Sequence, residues 1–220
     1  MKTISAVVSE IKILMRHISI LPAFYLLLFA LFLDGCTGKS TQSTNKEQAP
    51  VVSQEVSVQS SSVNEKALQD AALSGKIEEV KSLLRHGTNV NAADDDGRTA
   101  LMLAAFNGHT DIVKILLDLG ARVEARDIVG RTALLYAATG PFPQTVELLL
   151  ENRSDPNAID SEEHFTPLMH AAAEGHIEVV KILLANGADA SLKDVDGDTA
   201  ESFARQNGHQ IVADLLRDIR

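Results

Sequence analysis

Apolar positions fall into three regimes along the chain. From Ile18 to Leu33 the run ISILPAFYLLLFALFL carries no charge. Residues 37–63, TGKSTQSTNKEQAPVVSQEVSVQSSSV, hold neither leucine nor aromatic residues. From residue 64 onward the pattern becomes helical. Val80 with Leu83, Val113 with Leu116, Val146 with Leu149 and Val180 with Leu183 each mark one apolar stripe. Ahead of each stripe stands a shorter, alanine-rich block: KALQDAAL, TALMLAAF, TALLYAAT and TPLMHAAA. Pairs of short helices are predicted, each pair joined by a tight turn.

The pairs are copies of one unit. Thr99, Thr132, Thr166 and Thr199 open successive units at spacings of 33, 34 and 33 residues, and Lys66 takes the same place one unit earlier. Five residues on stand Ala71, Ala104, Ala137, Ala171 and Ala204, small enough for neighbouring helices to approach closely. Glycines 75, 108, 175 and 208 mark the turn within the pair, and glycines 87, 120 and 187 follow the second helix as left-handed caps. The third unit is irregular. Pro141 stands where the turn glycine should be, Arg153 replaces the capping glycine, and SEEHF carries one extra residue.

These columns resemble the ankyrin repeat. Thr166-Pro167-Leu168, GHIEVVKILLANGADA and the D-x-x-G tips at 94–97, 127–130 and 194–197 carry the resemblance, which covers residues 64–220. It implies an all-α, ankyrin-repeat solenoid of about five helix-turn-helix units with projecting hairpin-like fingers, the units near 64–96, 97–129, 130–163, 164–196 and 197–220. Each unit buries its apolar face only against its neighbours, so the end units act as caps. Arg217, where other units have leucine, suits a polar end, and Leu216 in that end unit is expected to have one side towards water.

Ahead of the array, Lys2, Lys12, Arg16 and His17 precede the uncharged run, the order of a secretory signal. Leu33-Asp34-Gly35-Cys36 resembles the lipobox of bacterial lipoproteins, with Asp34 departing from the small or apolar residue usual there. That resemblance implies a signal peptide over residues 1–35, a lipid (palmitate among its acyl chains) on Cys36, and an exported protein. Thr37 after the cysteine points to the outer membrane facing the periplasm; the alternative is an uncleaved inner-membrane N-terminal anchor. Met15 offers a more compact signal and a second candidate start. Residues 36–63 then read as a lipidated cysteine and a flexible tether, because such a composition buries too little apolar surface to offset its ordering entropy.

Composition narrows the partners. A net charge of −10 opposes binding to nucleic acid, which calls for a basic face. With one cysteine, neither an intramolecular disulfide nor a thiolate zinc site can form. No HExxH, GxSxG or phosphate-loop motif is present. His109, His176 and His209 recur after the turn glycine and are expected to hydrogen-bond between units. The expectation is a non-enzymatic, cofactor-free and metal-free monomeric repeat domain that binds a protein partner at the cell envelope as scaffold, inhibitor or protective partner. Two alternatives stand beside it: a surface-exposed or host-directed interaction protein, and a metal-dependent enzyme accessory using acidic fingers such as DVDGD.

Ankyrin arrays bind proteins through finger tips and first helices. By that resemblance the candidate partner-binding residues are Asp95, Asp96, Arg98 and Phe106, then Ile128, Val129 and Arg131, then Glu162, Glu163, His164 and Phe165. Phe106, Ile128, Val129 and Phe165 are expected to be solvent-facing without structural need, and arginines among apolar groups have the make-up of binding hot spots.

Overall fold

The computed structural model describes residues 52–219. The segment expected to be a signal peptide, Cys36 and the first part of the expected tether lie outside them. Among the described residues no helix is long and apolar enough to cross a membrane.

Ten helices follow one another: α1 Val52–Leu73, α2 Ile77–Arg85, α3 Ala100–Phe106, α4 Thr110–Asp118, α5 Ala133–Ala138, α6 Pro143–Glu151, α7 Pro167–Ala173, α8 Ile177–Ala185, α9 Ala200–Gln206 and α10 Gln210–Arg217. They form five pairs, with first helices stacked on first helices and second on second. The described residues contain no strand, only an isolated bridge between Ala93 and Thr99. Helix α1 begins at Val52, well inside the segment read as tether. Between Val51 and Leu73 there is neither glycine nor proline. Once the docked C-terminal part has formed, propagation backwards meets no breaker until Pro50.

Each later first helix starts the same way. The hydroxyls of Thr99, Thr132, Thr166 and Thr199 accept from the backbone N–H of Met102, Leu135, Met169 and Ser202, pairing one of the otherwise orphaned donors of the first turn. The alanine column is shut off completely, from Ala71 to Ala204 at 0–1% exposure, so the stacked helices meet there. Val80, Val113, Val146 and Val180 line the second-helix core, together with Leu116, Leu149 and Leu183. Leu216 is equally buried, against the expectation of a wetter end. The end exposure falls elsewhere: Leu83 is only partly buried, and Ile211 and Ile219 face outward on and just beyond α10. Arg217 is exposed and pairs with Asp214 at 2.8 Å.

The histidine column ties unit to unit. His109 Nε2 donates to the Leu73 carbonyl at 3.1 Å, and His176 Nε2 to that of Thr139 at 3.2 Å. In the irregular unit Phe142 fills this place and caps α6, ahead of Pro143 in its first turn. Its ring lies so close to Gly108 that a Cβ there would collide with it. Pro141 cannot adopt the positive φ of the turn glycines. The chain turns one residue earlier instead, with Phe142 N–H donating to the Gly140 carbonyl at 2.9 Å.

Candidate protein-binding face

Fingers project between the pairs and are stitched to one another by backbone. Ile128 N–H donates to the Asp96 carbonyl (3.0 Å), Ser161 N–H to Val129 (2.9 Å) and Val195 N–H to Glu163 (3.1 Å). The first aspartate of each finger holds its turn. Asp94 Oδ1 accepts from the N–H groups of Asp96 and Arg98, and Asp127 Oδ1 from those of Val129 and Arg131. Asp194 Oδ1 does the same for Asp196 and Asp198. These carboxylates are thus turned towards backbone. Among the described residues no group of three or more His, Cys, Asp or Glu is arranged to hold a metal ion.

The expected partner-binding residues divide into two sets. Asp95, Asp96, Ile128, Glu162, Glu163 and His164 stand exposed on the fingers, Ile128 at 70%. Arg98, Phe106, Val129, Arg131 and Phe165 are half-buried. Phe106 and Phe165 therefore do not face solvent freely. Phe106 meets Tyr136 edge-on with centroids 6.0 Å apart, and Phe165 meets both His170 (5.5 Å) and Phe203 (5.1 Å) edge-on. Their packing is a structural need that the sequence reading did not foresee. Arg98 is also occupied, with Nε 2.9 Å from Asp94 Oδ2 and a terminal nitrogen 3.0 Å from Asp96 Oδ2.

Tyr136, His170 and Phe203 escaped the sequence reading, as did Val195, a finger residue 52% exposed. The signal was present: with Leu103, the first three are the fourth residue after each capping threonine. Burial raises the Tyr136 phenol, and its hydrogen bond to Asp127 Oδ2 (2.7 Å) raises it further. Burial lowers His170 to about 4, with Arg131 acting in the same direction and Asp160 against it. For Arg98, burial opposes the charge, but the hydrogen bond to Asp94 and the charges of Asp94 and Asp96 outweigh it. The face thus offers half-buried aromatic rings, exposed aliphatic tips and fixed charges.

Known proteins agree with this architecture. The chain matches the family model for ankyrin repeats (3 copies) over residues 46–127, 68–160 and 134–220, and it belongs to the ankyrin-repeat family. It is similar to ankyrin repeat family A protein 2 of Homo sapiens, 52% identical over 48 residues, which are 22% of this chain and 15% of that protein. It is also similar to a probable E3 ubiquitin-protein ligase, XBOS33, of Oryza sativa subsp. japonica, 41% identical over 51 residues, 23% of this chain and 10% of that one. The ARF GTPase-activating protein Git of Drosophila melanogaster is 37% identical over 65 residues, 30% of this chain and 9% of its own length. The matches thus span 15% or less of these three proteins.

Proposed function

We propose that this chain is a lipid-anchored, exported ankyrin-repeat protein that binds another protein at the bacterial cell envelope through its fingers and first helices, acting as a scaffold, inhibitor or protective partner. Ankyrin repeats are protein-interaction modules, which supports the binding half of this reading. The observation that carries it is the exposure of Ile128 (70%) and Val195 (52%) on fingers whose turns are already held by the Asp127 and Asp194 carboxylates. Folding gains little from an aliphatic side chain left in water, whereas a partner gains by covering it. The uncharged run before the L-x-G-C seam supports the anchored half.

Both halves are testable on the full chain. Cys36→Ser should abolish palmitate labelling; undiminished labelling would remove the anchor. The double variant Ile128→Ser/Val195→Ser should lose partner capture from envelope extracts with helical circular dichroism unchanged. Such surface changes shift stability by no more than about 0.5 kcal/mol. The pair Lys114→Ala/Lys181→Ala, whose exposed lysines sit on second helices and pair locally with Asp118 and Glu178, should capture normally. Loss with the lysine pair and none with the finger pair would move the interface to the opposite face.

A further inference from the structure

Arg98 and Arg131 occupy the same place in successive units, immediately before the capping threonine, yet their surroundings differ. Arg98 has two carboxylates, Asp94 at 2.9 Å and Asp96 at 3.0 Å. The Arg131 side chain makes neither pairing. The counterpart of Asp94 is Asp127, whose Oδ2 accepts from the Tyr136 hydroxyl at 2.7 Å and whose Oδ1 accepts from backbone N–H groups. The counterpart of Asp96 is Val129. Tyr136 itself stands where the preceding unit has Leu103. One tyrosine and one valine therefore release the arginine.

The freed guanidinium is not free to wander. Its carbon lies 5.9 Å from the centroid of the Tyr136 ring, within cation–π reach, a contact that leaves its N–H donors unused. Among the described residues none of its side-chain nitrogens donates a hydrogen bond. Tyr136 in turn meets Phe106 edge-on, so the guanidinium lies beside an aromatic pair.

Resting on the finger-face reading above, we infer that the partner protein presents an aspartate or glutamate side chain to Arg131, with an apolar residue beside it. A planar guanidinium beside an aromatic ring matches a carboxylate through two parallel N–H···O bonds, stronger than neutral ones. The Tyr136 ring beside Arg131, packed on Phe106, offers apolar cover to whatever flanks that carboxylate. The exposed Asp95, Asp96, Glu162 and Glu163 around it repel a generally acidic surface. The complementary ligand therefore carries one carboxylate in an otherwise apolar or basic stretch.

The test uses the full chain against an array of random peptides about a dozen residues long, amidated at the C-terminus so that every carboxylate is a side chain. Bound peptides should share one Asp or Glu next to an apolar residue. Changing that acid to its amide should weaken binding at least tenfold. Arg131→Gln should bind the acidic peptide equally weakly and no longer distinguish acid from amide, while Arg131→Lys keeps part of the preference and Lys114→Gln keeps all of it. Equal binding of acid and amide by the unaltered chain overturns the inference, as does discrimination that survives Arg131→Gln. If peptides are bound without an acidic preference but are lost with Ile128→Ser/Val195→Ser, only this inference fails. Peptides indifferent to the finger pair, or an array that retains none, count against the finger-face reading as well.

Discussion

Four residues past each capping threonine the side chains differ in kind: Leu103, Tyr136, His170, Phe203. The column is buried or half-buried on the first helices, and a polar group there must find a partner or stay neutral. Tyr136 finds Asp127. His170 finds none for Nε2, which is buried without a hydrogen bond although the residue as a whole keeps some exposure. Burial therefore holds its pKa near 4, against 6.5 for an unperturbed imidazole; Arg131 adds to the depression and Asp160 opposes it. Because the folded value is the lower one, the unfolded chain takes up the proton first as the solution is acidified. Stability is intact above pH 6.5 and is lost as pH falls through that value towards 4. The linkage relation gives about 2 kcal/mol between pH 7 and pH 5 from this one group. His170→Phe, which keeps an aromatic ring beside Phe165, should remove that component. Urea unfolding of both proteins at the two pH values measures it, and an identical pH dependence in the variant would show that His170 does not titrate on unfolding.

At the scale of elements, the loop from α6 to α7 shows how much of the fold was legible in the sequence. Helix pairs, capping threonines, the alanine column and the unit boundaries all follow from periodicity, because each is imposed by packing that recurs in every unit. The irregular unit was legible as a departure, but its consequence was not. Arg153 takes φ +70° where other units have Gly87, Gly120 and Gly187, and His164 takes φ +59° where they have Gly97, Gly130 and Gly197. They are the non-glycine residues with positive φ among the described residues, and both flank the inserted residue. Repeat geometry keeps the left-handed backbone and tolerates side chains that disfavour it. Such a residue costs roughly 1 kcal/mol relative to glycine. Arg153→Gly and His164→Gly should each raise stability by about that amount, additively, since they sit at opposite ends of the loop. Thermal melts that show no gain would mean that the two side chains make compensating contacts. The partnerships of Arg98, Phe106 and Phe165 were illegible for another reason: they depend on which side chains neighbouring units present, and one unit's sequence does not specify that.

For the whole array, stability is a sum of units and the interfaces between them, so the cost of a cavity depends on how many neighbours close over it. Leu116 is fully buried in α4, between α2 of the preceding unit and α6 of the following one. Leu83, its counterpart in α2, has a second-helix neighbour on one side only and remains partly exposed. Leu116→Ala should cost about 2–5 kcal/mol, the range for truncating a fully buried leucine. Leu83→Ala should cost less, because water already reaches part of the side chain and the loss of buried area is smaller. Leu216→Ala belongs with Leu116 rather than with Leu83, because Leu216 is as inaccessible as the central leucines. Urea unfolding of the three variants ranks them directly. Equal losses at Leu83 and Leu116 would mean that an additional segment covers α2, and a small loss at Leu216 would mean that α10 frays from the end of the stack.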